Sequence, residues 1–350
     1  MSHITIAREG RAGRITLTRP KALNALDHAM CTEVIDALLE WRDDPEIDLV
    51  VMDAEGEKAF CAGGDVARVH REAAEGNGEF ARAFWRDEYR MNAMLAEYPK
   101  AIFSFMQGFV MGGGVGIGCH CSHRVIGEST KVAMPECAIG LVPDVGGSYL
   151  LARTEGRLGE YLGLTGARMG PGDAIHTGFA DLYVPEERWE DAKATLIETG
   201  APDAITDFAT TPPEATLPAM RGDIDALFGG ETLRDVVNLL RRDDTDFARD
   251  SLKILERSSP LSMGATLEIV HRLKAGGADI RKALDLEYRF THRALDRSDF
   301  LEGVRAQIID KDRAPKWRHE IDGLPLADVA AMLQPVREAR LDFHDWETTT

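Results

Sequence analysis

Ala101-Ile102-Phe103-Ser104-Phe105-Met106-Gln107-Gly108-Phe109-Val110-Met111-Gly112-Gly113-Gly114-Val115-Gly116-Ile117-Gly118 is the stretch on which the reading of this chain turns. Ala101 to Met106 is an apolar run of strand length, six glycines fall between Gly108 and Gly118, and the small residues among them suit a buried helix. The order is strand, tight turn, helix. Such a turn exposes backbone N–H groups to a ligand, because no Cβ obstructs close approach. A dinucleotide would need GxGxxG spacing, which no glycine triple here meets. A nucleoside triphosphate would need Gly-Lys followed by Ser or Thr, and no Lys occurs between Ala101 and Lys131. A carbonyl oxygen that gains charge as it reacts would need a second, converging donor. Cys61-Ala62-Gly63-Gly64-Asp65 is a candidate for it, with two glycines before a helix and an acid suited to the helix start. Two ordinary glycine turns fit the same spacing.

Working outward, Ile15 to Thr18 alternates apolar and polar residues, Leu49 to Met52 is a short apolar run, and Val125, Ile126 and Val132 to Met134 add short strand candidates. Leu26, Met30, Val34, Ala37, Leu38 and Trp41 share one helical face. A second helix is expected after Asp65, and a third over about Phe80 to Tyr98, ended by Pro99. Strands alternating with helices give an α/β class, with a sheet buried beneath helices. Pro202, Pro212, Pro213 and Pro218 mark residues 202–220 as a linker or long loop. Beyond it Leu233 to Arg242, Phe247 to Arg257, Leu261 to Ala275 and Ile280 to Leu295 carry helical spacing. Ser259 can cap the third of these, Pro260 suits its first turn, and Gly276 and Gly277 can end it. The expected organisation is a core over 1–201, a linker over 202–220 and a helical region over 221–350.

The 350 residues, 44% hydrophobic, suffice for a full core. Against 41 basic residues stand 59 acidic ones, a net charge of −18 that disfavours nucleic acid or an anionic membrane surface as partner. No run approaches the ~20 apolar residues of a membrane-spanning helix, and the N-terminus lacks a signal-peptide layout. Five cysteines without a CxxC pair suggest a reducing compartment, and a cytoplasmic location is expected. Cys119, His120, Cys121 and His123 crowd together, but a structural zinc site separates its ligand pairs by two to four residues and needs a second pair. Buried thiols and structural histidines are the better reading, so no metal is expected.

Arg19-Pro20-Lys21-Ala22-Leu23-Asn24-Ala25-Leu26, Phe60-Cys61-Ala62-Gly63-Gly64-Asp65 and Met111-Gly112-Gly113-Gly114 resemble the enoyl-CoA hydratase/isomerase, or crotonase, family. Met134-Pro135-Glu136, Pro143-Asp144-Val145-Gly146-Gly147 and Phe84 to Tyr89 are similar to the thioester hydrolases of that family. So are Ser259-Pro260-Leu261-Ser262-Met263 and Asp299 to Trp317 in the tail. The resemblance therefore covers nearly the whole chain. It implies a spiral of ββα units in two roughly perpendicular sheets, followed by C-terminal helices that cover the site and make subunit contacts in a homo-oligomer. It implies that the Gly64 and Gly113 N–H groups form an oxyanion hole for a thioester.

The hydratases of the family use a glutamate at the position of Gly116 and a second at Glu136. Losing one of the two carboxylates weakens a hydratase assignment, since water addition needs both a base and an acid. The hydrolases pair the second glutamate with an aspartate, here Asp144. Glu136 would then serve as nucleophile or general base, Asp144 would position water or assist proton transfer, and Glu88 would bind the 3-hydroxyl of the acyl group. Ala62 and Asp65 are implied substrate contacts. Arg19, Lys21 and Lys58 are candidates for the phosphates of coenzyme A, which is part of the substrate and not a retained cofactor. The implied reaction is hydrolysis of 3-hydroxyisobutyryl-CoA, or a close short 3-hydroxyacyl-CoA, as in valine breakdown. An enoyl-CoA hydratase or isomerase, and a non-catalytic CoA-binding assembly protein, are the alternatives.

Overall fold

The computed structural model describes residues 2–343. Met1 and 344–350, the end of the expected helical region, lie outside the described residues. Within them, β1 (Ile4–Glu9) and β2 (Ala12–Leu17) form an antiparallel hairpin, and β2 opens a parallel series through β3 (Leu49–Ala54), β5 (Ala101–Met106), β7 (His123–Ile126) and β9 (Leu182–Tyr183). The second sheet is parallel and small: β4 (Ala59–Cys61), β6 (Phe109–Met111) and β8 (Lys131–Ala133). From β3 to β8 successive strands go alternately to the first and second sheet, so each pair donates one strand to each layer. That alternation is the ββα spiral.

The larger sheet is buried on both faces. Val50 and Met52 face the main core while Leu49 and Val51 face a second cluster with Phe103, Phe105 and Trp189. This two-sided burial is why β3 and β5 read as continuous apolar runs instead of alternating ones. The strands β4, β6 and β8 are three residues each, too short to show a period.

Helices α1 (His28–Arg42), α2 (Val66–Ala74), α3 (Gly78–Ala96) and α4 (Gly113–Gly118) belong to the first half. Asp27 caps α1 by accepting from Met30 N, and Asp65 caps α2 by accepting from Arg68 N. Then come α5 (Gly147–Ala152), α6 (Leu158–Thr165), α7 (Pro171–His176) and α8 (Trp189–Thr199). Residues 202–220 carry a 3-10 helix, Pro202–Asp207, and a bridge from Thr210 to Tyr183. Helices then predominate: α9 (Leu217–Leu227), α10 (Leu233–Arg242), α11 (Asp246–Leu255), α12 (Pro260–Gly276), α13 (Ile280–Arg297), α14 (Phe300–Val304) and α15 (Leu326–Met332), with residues 310–325 and 333–343 carrying no helix. Leu261, Ile269, Leu284 and Phe290 of this region share one core with Leu26, Met52 and Met106 of the first half. No helix of the described residues is long and apolar enough to cross a membrane.

Candidate active site

A cleft of about 280 Å³ opens between the two glycine loops and the C-terminal helices. Ala62, Gly64, Gly112 and Gly113 line it together with Glu88, Glu136 and Asp144. Phe84, Trp85, Ile139, Leu141 and Ile308 make the remainder largely apolar. Residues from 62 to 308 thus meet in one place.

The loops approach each other closely. A Cβ added at Gly113 would lie 3.1 Å from Gly64 N and 2.9 Å from Glu88 Oε1, and one added at Gly112 would lie 2.9 Å from Glu136 Oε1. Gly112 also has φ +49, a left-handed turn that starts α4 and leaves no carbonyl within the helix for the Gly113 N–H. Gly114 packs α4 onto β4, since its Cβ would fall 2.0 Å from Cys61 O. Among the described residues neither Gly64 N nor Gly113 N donates to a backbone carbonyl. Two neighbouring N–H groups with no partner, facing a cleft, can bind an oxygen that gains negative charge.

Glu136 starts the 3-10 turn Glu136–Ile139, and the tail clamps that turn. Ser259 N donates to Cys137 O at 2.9 Å, and a Cβ on Gly303 would sit 2.3 Å from the carbonyl carbon of Ile139. Glu88 sits on the buried face of α3, one residue before Tyr89, whose hydroxyl donates to Asp144 Oδ2 at 2.7 Å. Glu88 Oε1 and Glu136 Oε2 are buried without a hydrogen-bond partner among the described residues. Such orphaned acceptors are rare unless water or a ligand satisfies them.

Among the described residues no cation pairs with Glu88, Glu136 or Asp144. Burial, then the neighbouring Asp144, pushes both Glu136 and Glu88 well above the usual carboxylate range. Burial lifts Asp144 to about 7, with the Tyr89 hydroxyl pulling the other way. A fourth buried carboxylate, Glu287 of α13, is raised by burial to about 8. Clustered, buried carboxylates of this kind keep their protons to higher pH than in water and can exchange them with a substrate.

Asp65 is not among the residues that line the cleft. Its carboxylate caps α2 and pairs with Arg19 at 2.7 Å, which also occupies that guanidinium. Lys21 and Lys58 are exposed, outside the cleft wall. His120 is buried and donates through Nε2 to Val145 O at 2.8 Å, and burial drops it to about 4, so it is neutral at pH 7. His123 stacks on Phe103 with ring centroids 4.3 Å apart. Cys119 and Cys121 are buried thiols, pushed up to about 12 by burial. Sequence reasoning assigned no role to Tyr89, Glu287, Trp85 or Gln307. Tyr89 stood inside a quoted motif, whereas Glu287 lies on an amphipathic helix whose buried face shows only once its partners are known.

A family model described as enoyl-CoA hydratase/isomerase matches residues 12–333. The chain belongs to the enoyl-CoA hydratase/isomerase, or crotonase, family. Curated relatives include proteins named 3-hydroxyisobutyryl-CoA hydrolase, mitochondrial. That of Danio rerio is 37% identical over 91% of this chain and 85% of its own. That of Homo sapiens is 35% identical over 90% and 84%. Among solved structures, one titled an enoyl-CoA hydratase from Rhodobacter sphaeroides 2.4.1 has TM-score 0.93 and 54% identity, covering 98% of this chain and 100% of that one. Another, titled a carnitinyl-CoA dehydratase from Mycobacterium thermoresistibile, has TM-score 0.93 and 39% identity, covering 99% and 100%. The crotonase fold expected from the sequence is the fold observed, and the chain is a crotonase-family enzyme. The hydrolase and hydratase names divide on the reaction.

Proposed function

We propose that this crotonase-family enzyme hydrolyses the thioester of a short 3-hydroxyacyl-CoA, with 3-hydroxyisobutyryl-CoA as the leading substrate. The observation that carries the reading is the pairing of Glu136 with Asp144 in one cleft, facing the free N–H groups of Gly64 and Gly113. The thioester oxygen accepts from those two N–H groups, each worth ~3 to 4 kcal/mol of transition-state stabilisation in comparable sites. Glu136 drives attack on the carbonyl carbon, directly or through a water it deprotonates, while Asp144 holds that water or passes a proton. The C–S bond breaks, the CoA thiolate takes up a proton, and water supplies the hydroxyl of the released acid. Glu88 Oε1, lacking a partner, accepts from the substrate's 3-hydroxyl.

Hydration of an enoyl-CoA is the second reading, favoured by the titles of the solved structures. It asks for a carboxylate at position 116. A Cβ there would lie 2.8 Å from both Asn92 Nδ2 and Val145 Cβ, so the space for the missing side chain is already filled. A thiol reagent distinguishes the two: thiol release from 3-hydroxyisobutyryl-CoA supports hydrolysis, and loss of enoyl absorbance without thiol release supports hydration.

A further inference from the structure

Glu287 has no exposed surface and, among the described residues, no cationic partner. Its Oε2 accepts from Gly146 N at 2.8 Å, its Oε1 accepts from Ser148 N at 3.0 Å, and the Ser148 hydroxyl donates to the same Oε1. A carboxylate so deeply desolvated is tolerated only because three donors converge on it. The donors lie within and directly after the turn that carries Asp144. Within it Val145 has φ +53 and Gly146 φ +78, two successive left-handed residues, the first of them β-branched. A β-branched residue keeps that backbone only where its surroundings enforce it. Gly147 N closes onto Asp144 O at 2.7 Å and His120 Nε2 holds Val145 O at 2.8 Å. Glu287 gathers the N–H groups of Gly146 and Ser148, so the nest formed by this turn is filled by a carboxyl group from the protein's own α13.

We infer that Glu287 is a positioning residue: it locks the left-handed turn at Val145 and Gly146 and so sets where the Asp144 carboxylate stands beside Glu136. The inference rests on the thioester reading, since Glu287 acts through Asp144. Glutamine cannot replace it, because its one oxygen can serve the Ser148 side or the Gly146 side but not both, and the amide NH2 would oppose an N–H on the other. A displacement of about 1 Å at a reacting group is enough to lower a rate by about 100-fold.

The test is steady-state thiol release from 3-hydroxyisobutyryl-CoA by wild type, E287Q, S148A, D144N and the double variants E287Q/D144N and S148A/D144N, each checked for folding by circular dichroism. E287Q is expected to lower kcat by about 10- to 100-fold with KM changed by less than about threefold, and S148A to give a smaller loss of the same kind. In the D144N background E287Q should reduce kcat little further, because the path through Asp144 is already cut. Should E287Q fail to fold, the S148A and S148A/D144N pair carries the same comparison. Unchanged kcat in folded E287Q, or losses that multiply fully with D144N, would overturn the inference. No thiol release by wild type is a separate result, which sinks the thioester reading and takes this inference with it.

Discussion

At the residue scale the chemistry depends on carboxylates that burial keeps protonated more readily than water would. Glu136 must lose its proton to act as base or nucleophile, so kcat/KM should fall on the acid side, along a limb that burial and Asp144 place above the usual carboxylate range. Asp144 is the second cause of Glu136's raised pKa, after burial. Replacing it by Asn removes a negative neighbour, lowers the pKa of Glu136, and should move the acid limb of the pH–rate profile to lower pH. D144N should also reduce kcat by about 100-fold, the usual scale for one proton-transfer group. A limb that stays in place would argue that Asp144 does not face Glu136 electrostatically. Gly116 gives a second prediction. G116E meets Asn92 and Val145, so it should lower stability by ~1 to 3 kcal/mol in a thermal or denaturant melt. It should gain no enoyl-CoA hydration in an absorbance assay. These residues were readable in the sequence as types in motifs. The Tyr89 hydrogen bond to Asp144 and the filling of the Gly116 space were not, because each joins segments that only the fold brings together.

At the element scale the tail holds the site. Ser259 caps α12 by accepting from Ser262 N at 3.2 Å and donates to the buried Asp299 Oδ2 at 2.6 Å, while its own N–H fixes the Glu136 turn. Gly303 of α14 lies against the backbone of that turn. S259A should therefore lose about 1 to 3 kcal/mol of stability from the cap and the donor lost to Asp299 Oδ2, yet keep kcat, because the backbone donor survives. G303A should lower both stability and kcat, since its Cβ pushes Ile139 and with it Glu136. Melting curves beside thiol-release rates separate the two, and equal effects on kcat would refute the distinction. The long elements were legible: β5 was expected over Ala101–Met106 and is found there, and Ser259, Pro260 and Gly277 bound α12 as their types suggest. β8 was expected at Val132 to Met134 and is found at Lys131–Ala133, whereas the three-residue strands β4 and β6 carry no measurable period. Their positions follow from pairing with one another, not from local pattern.

At the scale of the whole molecule, Glu88, Glu136, Asp144 and Glu287 come from α3, a 3-10 turn, the loop before α5, and α13, and only folding gathers them. That convergence was invisible along the chain, although the family motifs pointed to three of the four. It also has a thermodynamic sign. The folded pKa of Asp144 is about 7, above its ordinary 3.8, so between those values the folded protein retains a proton that the unfolded chain has released. Stability from this group is therefore full below the unfolded pKa and is lost as pH rises through about 7. D144N should melt close to wild type near pH 4 and above it at pH 8, read as the difference in Tm across the series. A constant difference would show that Asp144 does not carry the burden of burial. The central claim, hydrolysis driven by Glu136, is tested most directly by mixing purified protein with 3-hydroxyisobutyryl-CoA and a thiol reagent, for wild type and E136Q. The account predicts steady thiol release by wild type and a loss of at least about 100-fold in folded E136Q. Full activity in E136Q, or no thiol release by wild type, would contradict it.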